Sequence, residues 1–480
     1  MSANYKVIGL MDHMGLGNMG DAAIQEAFMA NIRSRIPAVR LINFSLHPVD
    51  TKKRHHIDSY PIRWSYPGKT AGGEQGAESP TLNQRGKSAL KRHPILYKIA
   101  KPVHDLYQEL AHLRRSYRVV KSLDLLVMAG GGQLCELWYD LPYNVFKFCV
   151  LAKLARKPLF VVGVGADLLE KPSNKFFAKW SVRMADYVSL RSVESEQLVR
   201  SLGVKRDIKV CPDPVYGLDV DRYLGSREAA RQAGDRLLDD LGRRVEVATN
   251  SPAITSPDTA PRVGINPMGF CDPRGWPRKD QKTYDDYLDK MEEFTVWLLD
   301  LGYSVEMFSS DAAGDIYSIS DLQNRLKRRL SPEAAAKIIF RPLFHLDELL
   351  AQMASFDYVV TTKFHGVVFS HLLGKPVTAI SYLPKIDYLM RDVGHEYYCL
   401  DVATFDVDSL KEKFQSMVAQ RDKLQSLFRN KILAYRSALQ TEFDDVFGAN
   451  DGIACQEGLS RGPLSVTQEA IQPRISSLAP

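Results

Sequence analysis

The chain has 480 residues and a net charge of only +6, with 45% hydrophobic and 25% charged residues. These values exclude a fibrous or intrinsically disordered protein, and the small net charge gives no reason to expect nucleic-acid binding. A prior of about 150 residues per domain predicts two or three domains. The six cysteines stand far apart, without a CxxC pair or a Cys/His spacing typical of zinc, so we expect free thiols, a reducing compartment and no bound metal.

An apolar strand, YKVIGLM, is followed by the loop GLGNMGD and a helix. Gly15, Gly17 and Gly20 fit the G-x-G-x-x-G spacing of dinucleotide-binding loops. The next strand, RLINFSL, lacks the acidic residue that would bind a ribose, and Asp21 opposes a pyrophosphate at the helix start, which disfavours a nicotinamide cofactor. Two interpretations stay open: a tight structural turn with Asp21 as cap or first-turn acid, or a loop whose Asn18 and Asp21 side chains face a sugar-like ligand.

Residues 63–92 are rich in Gly, Pro, Ser and charge, which predicts a mobile loop insertion. The overlapping basic segment 85–121 contains ten Lys/Arg and two Asp/Glu, interleaved with aliphatic and aromatic residues. A basic amphipathic stretch of this kind can bind an anionic membrane surface or a phosphate-bearing ligand, although a solvated helical face has the same pattern.

Apolar strands alternate with helices twice along the chain, and near-continuous apolar strands are typical of parallel sheets covered on both faces. The first set occupies 1–221, and a linker or insertion at 222–261 separates it from the second set at 262–405. We predict an α/β fold with two Rossmann-like doubly wound lobes, similar to glycosyltransferase-B enzymes, and a ligand cleft between them. A helical segment at 406–449 and a disordered tail at 450–480 complete the prediction.

The stretch TTKFHG carries the strongest chemical signal. Lys363 and His365 stand between a strand and an apolar helix, and helix N-termini bind anions. A cation and an imidazole at this position suit a phosphate or carboxylate substrate that needs a proton. Lys385 follows the next strand, whereas His371, inside the apolar helix, is predicted to be a packing residue.

Several motifs in order along the chain resemble the polysaccharide pyruvyl transferase family. They are GNMGD at 17–21, AGGGQL at 129–134, VVGVGA at 161–166, ADYVSLRSVES at 185–195, VCPDPVY at 210–216, VGINP at 263–267 and TTKFHGVVFSHLLGKPVTAISY at 361–382. The resemblance implies a glycosyltransferase-B-like fold. It also implies transfer of pyruvate from phosphoenolpyruvate to a sugar as a ketal, in exopolysaccharide or cell-wall polymer synthesis.

By position, His365 matches the family's catalytic histidine, and Arg191 matches an arginine linked to donor binding. Lys363 stands where an arginine is usual, and lysine offers a point charge where arginine offers a bidentate fork. We therefore predict that Arg191, Lys363 and Lys385 bind the donor phosphate and carboxylate.

Asn18, Asp21, Gly131 and Gly165 are the predicted contacts of the acceptor or its loop. Beyond phosphoenolpyruvate as donor substrate, we expect no cofactor. The expected acceptor is a sugar, with a lipid-linked oligosaccharide as one form of it.

No apolar run reaches the ~20 residues needed to span a bilayer, and no signal peptide precedes the first strand, so the expected location is cytoplasmic. Peripheral contact with the inner membrane face through 85–121 extends this hypothesis. Two alternatives remain: a glycosyltransferase that uses a nucleotide-sugar, and a non-catalytic scaffold of a polysaccharide assembly complex docked through 85–121.

Overall fold

The computed structural model describes residues 5–12, 15, 17–64, 94–137, 141–224, 260–335, 338–340, 343 and 345–448. The predicted insertion at 63–92 and the predicted linker at 222–261 lie outside these ranges for most of their residues. The predicted tail at 450–480 lies wholly outside them.

The first lobe is built on a parallel sheet whose strands are short and mostly buried. The strands are β1 (Val7–Met11), β2 (Arg40–Ser45), β3 (Asp58–Pro61), β4 (Leu125–Ala129), β5 (Leu134–Cys135), β6 (Leu159–Val164), β7 (Ala166–Asp167), β8 (Tyr187–Leu190) and β9 (Lys209–Val210). Seven of them form one sheet in the order β3-β2-β1-β4-β6-β8-β9, and β5 pairs with β7 beside it. The helices are α1 (Met19–Arg35), α2 (Pro48–His55), α3 (Pro94–Lys121), α4 (Leu141–Leu154), α5 (Pro172–Met184), α6 (Val193–Ser201) and α7 (Val220–Leu224), with a 3₁₀ turn at Pro214–Gly217.

The second lobe repeats this architecture with six parallel strands. They are β10 (Arg262–Asn266), β11 (Ser304–Met307), β12 (Ile338–Phe340), β13 (Tyr358–Thr361), β14 (Val377–Ser381) and β15 (Cys399–Asp401), in the order β12-β11-β10-β13-β14-β15. The helices are α8 (Gln281–Asp300), α9 (Ala312–Arg329), α10 (Pro332–Ala335), α11 (Leu346–Ala354), α12 (Phe364–Leu372), α13 (Pro384–Asp392), α14 (Val407–Ala419) and α15 (Arg421–Phe447).

Both sheets reverse their strand order beside the first strand of the lobe. In the first lobe β1 lies between β2 and β4, and in the second β10 lies between β11 and β13. In open α/β sheets, such a reversal opens a crevice at the carboxyl ends of the strands. The predicted fold of two doubly wound lobes with a cleft is therefore confirmed. The edge strands β3 and β15 are present in the structure but are not predicted from the sequence.

The last described helix returns from the second lobe to the first. Near its start, the Gln425 amide donates to the Gly374 carbonyl oxygen at 3.0 Å. Near its end, Phe443 packs edge-on against Phe28 of α1 at 5.3 Å between ring centroids. The α15 helix therefore ties the two lobes together on the side opposite the carboxyl ends of β1 and β10. Within the described ranges, no helix combines the length and apolar character needed to cross a bilayer.

A buried polar contact also joins the lobes. The Tyr216 hydroxyl of the first lobe lies 2.8 Å from Nδ1 of His371 in α12. His371 is fully buried, and burial, with a smaller effect of nearby His395, lowers its pKa to about 3. The imidazole is therefore neutral at physiological pH, and the predicted packing role of His371 agrees with its position.

Tyr216→Phe is expected to destabilise the protein by about 1–3 kcal/mol, because the buried His371 ring loses its hydroxyl partner. Urea denaturation followed by circular dichroism measures the change. Tyr397→Phe is the matched control: the Tyr397 hydroxyl donates to Glu412 at an exposed site, so its loss should change stability by less than about 0.5 kcal/mol. Equal effects of the two substitutions would contradict the interpretation.

Candidate active site

A cavity of about 410 Å³ lies between the lobes, at the carboxyl ends of both sheets. Side chains from both lobes line it. From the first lobe come Asp12, Asn18, Asp21, His47, Asp167 and Arg191, and from the second Asp272, Trp276, Asp311, Asp315, Tyr317, Lys363, Phe364, His365, Tyr382 and Lys385. The cavity therefore contains most of the residues that the sequence singles out.

Backbone groups join the lobes at one wall of the cavity. The Met19 N–H donates to the Ser310 carbonyl oxygen at 2.8 Å, and Asn18 forms an antiparallel bridge with Asp311. The Asn18 side-chain oxygen accepts from the Gly20 and Asp21 N–H groups at 3.0 and 3.2 Å, which makes Asn18 the N-cap of α1. Asp21 is thus a first-turn acid whose carboxyl lines the cavity, and the cap is Asn18.

His365 stands in the first turn of α12 and contacts α1 at a glycine. A Cβ on Gly20 would lie 1.9 Å from Nδ1 of His365, so the imidazole occupies the space that a side chain would fill. The His365 Nε2 atom is buried and has no hydrogen-bond partner among the described residues. This orphaned nitrogen can bind a ligand group within the cavity.

The surroundings of His365 set its charge. The pKa of His365 is lowered to about 4, mainly by burial; nearby Asp213 opposes this effect, and Arg191 and Lys385 add to it. The imidazole is therefore neutral in the empty site near neutral pH. A ligand that neutralises Arg191 and Lys385 would raise this pKa and favour the charged ring.

Two cations flank the ring of Phe364. The Arg191 guanidinium lies 4.5 Å from the ring centroid, and the Lys385 ammonium lies 5.7 Å from it. Arg191 is held by Asp213 at 3.3 Å in a buried ion pair. Arg191 and Lys385 come from different lobes, and their positive charges converge on one part of the cavity.

Lys363 lines the cavity and contacts two carboxylates of the second lobe, and its role in donor binding stays a prediction. The Lys363 ammonium lies 2.9 Å from Asp315, which is in the first turn of α9, and 3.3 Å from Asp311, which is the N-cap of α9. Although burial alone would lower the pKa of Lys363, these two carboxylates raise it above its usual range. Asp315 is fully buried and also accepts from Ser309 at 2.7 Å. The charge of Lys363 is therefore balanced by two carboxylates, whereas Arg191 has one carboxylate partner, Asp213, and Lys385 has no ion pair with another described residue.

The glycines predicted to approach a ligand divide into two groups. Gly131 lines the cavity in a left-handed conformation, with φ of +70°. Gly165 lies under the Arg191 guanidinium instead, where a Cβ would come within 2.3 Å of Nε. Gly165 therefore makes room for Arg191 and does not line the cavity.

Several residues at the site were not predicted from the sequence. Asp311 and Asp315 follow a strand in the second lobe, and their position at the carboxyl end of a parallel strand is the signal that could have identified them. Phe364 and Asp213 lie inside the quoted motifs, but nothing in the motifs shows that they contact Arg191.

One end of the cavity is aromatic and adjoins Lys385, whose ammonium lies 5.6 Å from the ring centroid of Tyr382. Trp276 packs edge-on against Tyr382 at 5.7 Å between ring centroids, and Tyr317 is 43% exposed. Asp272 adds a carboxylate at this end, paired with Arg274 at 2.8 Å. Aromatic faces beside carboxylates can bind the apolar faces and the hydroxyl groups of a sugar.

The two lobes and their cleft define a glycosyltransferase-B-type fold. A UDP-GlcNAc 2-epimerase from Neisseria meningitidis, bound to UDP-GlcNAc, matches 92% of this chain and 99% of its own with a TM-score of 0.53 at 10% identity. The enzyme of the same name from Methanocaldococcus jannaschii matches 86% of this chain and 92% of its own, with a TM-score of 0.50 at 10% identity. At such identities the likeness concerns the fold.

The family model for polysaccharide pyruvyl transferase matches residues 18–384, and the chain belongs to this family. The amylovoran biosynthesis protein AmsJ from Erwinia amylovora is a distant relative. It is 22% identical over 331 residues, which are 66% of this chain and 72% of AmsJ. The family makes the protein a transferase and confirms the resemblance on which the sequence analysis rests.

Asp21→Asn should stabilise the protein at high pH only. Burial, with a smaller effect of Asp311, raises the pKa of Asp21 from 3.8 to about 7, so the folded state loses stability as the pH rises between these values. The variant lacks this loss. We expect equal stability near pH 4 and a gain of about 4 kcal/mol at pH 8, measured by urea denaturation across the pH range.

Asp408→Asn is the control, because Asp408 is also a first-turn acid but its side chain is 94% exposed. Its substitution should leave the pH dependence unchanged. A stability difference between wild type and Asp21→Asn that is the same at pH 4 and pH 8 would contradict the raised pKa.

Proposed function

We propose that the protein transfers pyruvate from phosphoenolpyruvate to two hydroxyls of a sugar, which forms a ketal and releases inorganic phosphate. The observation that carries this proposal is the convergence of Arg191 from one lobe with Lys385 and His365 from the other around Phe364. Two cations beside an imidazole whose buried Nε2 has no hydrogen-bond partner among the described residues suit a small anionic donor that must receive a proton.

Donor binding would itself charge the imidazole. The phosphate and carboxylate of phosphoenolpyruvate neutralise Arg191 and Lys385, the two cations that depress the pKa of His365. The pKa of His365 then rises, and the ring takes a proton from solvent as the donor enters.

The reaction forms two carbon–oxygen bonds between C2 of the donor and the sugar, and it breaks the bond between C2 and the phosphate oxygen. His365 gives its proton to C3 of the enol while a sugar hydroxyl adds to C2, and the hydroxyl proton passes to a carboxylate of the cavity. Asp21 suits this role because burial raises its pKa to about 7. The C2–phosphate oxygen bond then breaks, a second sugar hydroxyl attacks C2, and its proton leaves with the phosphate.

The acceptor sugar would lie at the aromatic end of the cavity. Trp276, Tyr317 and Tyr382 offer ring faces there, and Asp272 and Asp311 offer hydrogen-bond acceptors for hydroxyls. Excess carboxylates at this end would repel a second phosphate-bearing ligand. We therefore place the donor near Arg191 and the acceptor near Trp276, in the service of exopolysaccharide or cell-wall polymer synthesis.

Mass spectrometry of candidate saccharides after incubation with phosphoenolpyruvate tests the proposal. A pyruvyl mass increment together with equimolar inorganic phosphate is the expected result. A glycosyl increment from a nucleotide-sugar, without transfer from phosphoenolpyruvate, would show a glycosyltransferase instead. Thermal denaturation with each donor present completes the test. If neither phosphoenolpyruvate nor a nucleotide-sugar raises the melting temperature, the scaffold alternative is favoured.

His365→Asn should lower kcat by about 10²–10⁴-fold, because asparagine keeps a polar side chain but cannot carry the proton. Steady-state phosphate release measures the loss, and thermal denaturation verifies folding. His56→Asn is the control, since His56 is exposed, does not line the cavity and has a left-handed conformation that asparagine tolerates. Retention of normal turnover by His365→Asn would refute the proton-donor role.

The two lysines should respond differently to substitution. Lys385→Ala should raise KM for phosphoenolpyruvate by about 10–100-fold with little loss of stability, because it removes a donor contact. Lys363→Ala should lower the free energy of unfolding by about 3–5 kcal/mol, because Asp311 and Asp315 lose their cation. Lys363→Arg should restore stability, and a KM effect of Lys363→Ala without destabilisation would contradict this assignment.

A further inference from the structure

Residues 103–121 of α3 have one exposed side, on which apolar residues come first and basic residues follow toward the C-terminus. The apolar end exposes Val103 (66%), Leu106 (60%), Tyr107 (66%) and Leu110 (56%). These positions recur at spacings of three and four residues, so they form one stripe. Large apolar residues grouped in this way mark an interaction surface, whereas single exposed ones do not.

Basic residues continue the same face toward the helix C-terminus. At 100° per residue, Arg114, Arg118 and Lys121 lie within the same sector as Val103 and Leu110, and all three are exposed. None of these three has an ion pair with another described residue. The opposite side packs on the lobe, where Glu109 accepts from Lys147 of α4 at 3.0 Å.

A neighbouring helix enlarges the apolar surface. Phe176 and Trp180 of α5 are 49% and 39% exposed, and Phe176 packs 5.8 Å from Phe146 of α4. The Arg183 guanidinium lies 4.9 Å from the Trp180 ring, which adds a cation to this edge. The α3, α4 and α5 helices therefore present one surface with apolar and basic groups side by side.

The apolar end of α3 lies near the rim of the cleft. Pro102 lies inside the helix, where a proline can introduce a kink, but residues 103–121 alone are about 28 Å long, whereas the five-residue strand β4 that follows spans about 17 Å. Since the C-terminus of α3 adjoins the start of β4, its other end extends past the carboxyl edge of the sheet. His104 accordingly lies 6.4 Å from Trp64, which follows the end of β3.

We propose that this face docks the protein on an anionic lipid bilayer, with Val103, Leu106, Tyr107 and Leu110 in the interface and Arg114, Arg118 and Lys121 at the lipid phosphates. Apolar area and positive charge on one helix face are the two contributions that bind a helix parallel to an anionic membrane. Docking through this face would set the cleft rim at the membrane surface. The proposal does not depend on the reaction, because lipid binding needs neither donor nor acceptor.

Flotation of the full chain with vesicles tests the proposal. The wild type should float with phosphatidylcholine–phosphatidylglycerol vesicles, and high salt or phosphatidylcholine alone should reduce binding by about tenfold or more. Leu106→Glu/Leu110→Glu and, separately, Arg114→Glu/Arg118→Glu should each lower the partition coefficient by about tenfold or more. Leu433→Glu, at a leucine of α15 that is 59% exposed, should bind like the wild type.

Other occupants of the face give distinct results. Sedimentation of a wild-type dimer that Leu106→Glu/Leu110→Glu converts to a monomer would show a self-association surface. A large loss of thermal stability in the same variant would show that the rest of the chain covers the stripe. Either result, or flotation unchanged by both double substitutions, would overturn membrane docking.

Discussion

The site depends on one steric fact, the missing side chain of Gly20. The His365 ring fills the space beside this residue, with Nδ1 only 1.9 Å from where a Cβ would stand. This contact lets the first turns of α1 and α12 meet across the cleft, and the adjoining backbone bond from Met19 to Ser310 holds the same wall. Asp21, one residue further, is thereby brought into the cavity that contains His365. Asp21 of the first lobe and His365 of the second, which can both carry a proton, thus line the same cavity because residue 20 has no Cβ.

The charge available within the cleft depends on which side chains are already paired more than on the total number of charged groups. Carboxylates outnumber cations among the lining residues, yet the Lys363 ammonium is enclosed by Asp311 and Asp315 and contributes to the local structure. Arg191 keeps one buried partner, Asp213, and turns its guanidinium toward Phe364. The cavity therefore has cations from both lobes around Phe364, and the Lys385 ammonium also lies 5.6 Å from the ring centroid of Tyr382 in the aromatic group.

Much of this could be predicted from the sequence, and the exceptions have physical reasons. Continuous apolar strands between helices show two doubly wound lobes, whereas β3 and β15 escape detection because DSYP and CLD are short edge strands without an apolar run. Strand-end position identifies His365, Arg191 and Lys385 as residues of one cleft. It does not show which charges are already paired, because the partners of Lys363 lie about fifty residues earlier in the chain. The position of Gly165 cannot be predicted for the same reason: it lies against Arg191, which follows a different strand.

The return of α15 to the first lobe affects how the protein is made. Phe443 covers Phe28, Asp444 pairs with Arg35 at 2.7 Å, and Asp445 pairs with Lys209 at 2.8 Å, so the surface of the N-terminal lobe is completed by residues from the end of the described chain. During translation, this lobe emerges from the ribosome hundreds of residues before the helix that covers it. The surface of α1 that packs against α15 therefore stays exposed while the second lobe is synthesised, and the first lobe gains these contacts only after α15 has left the ribosome.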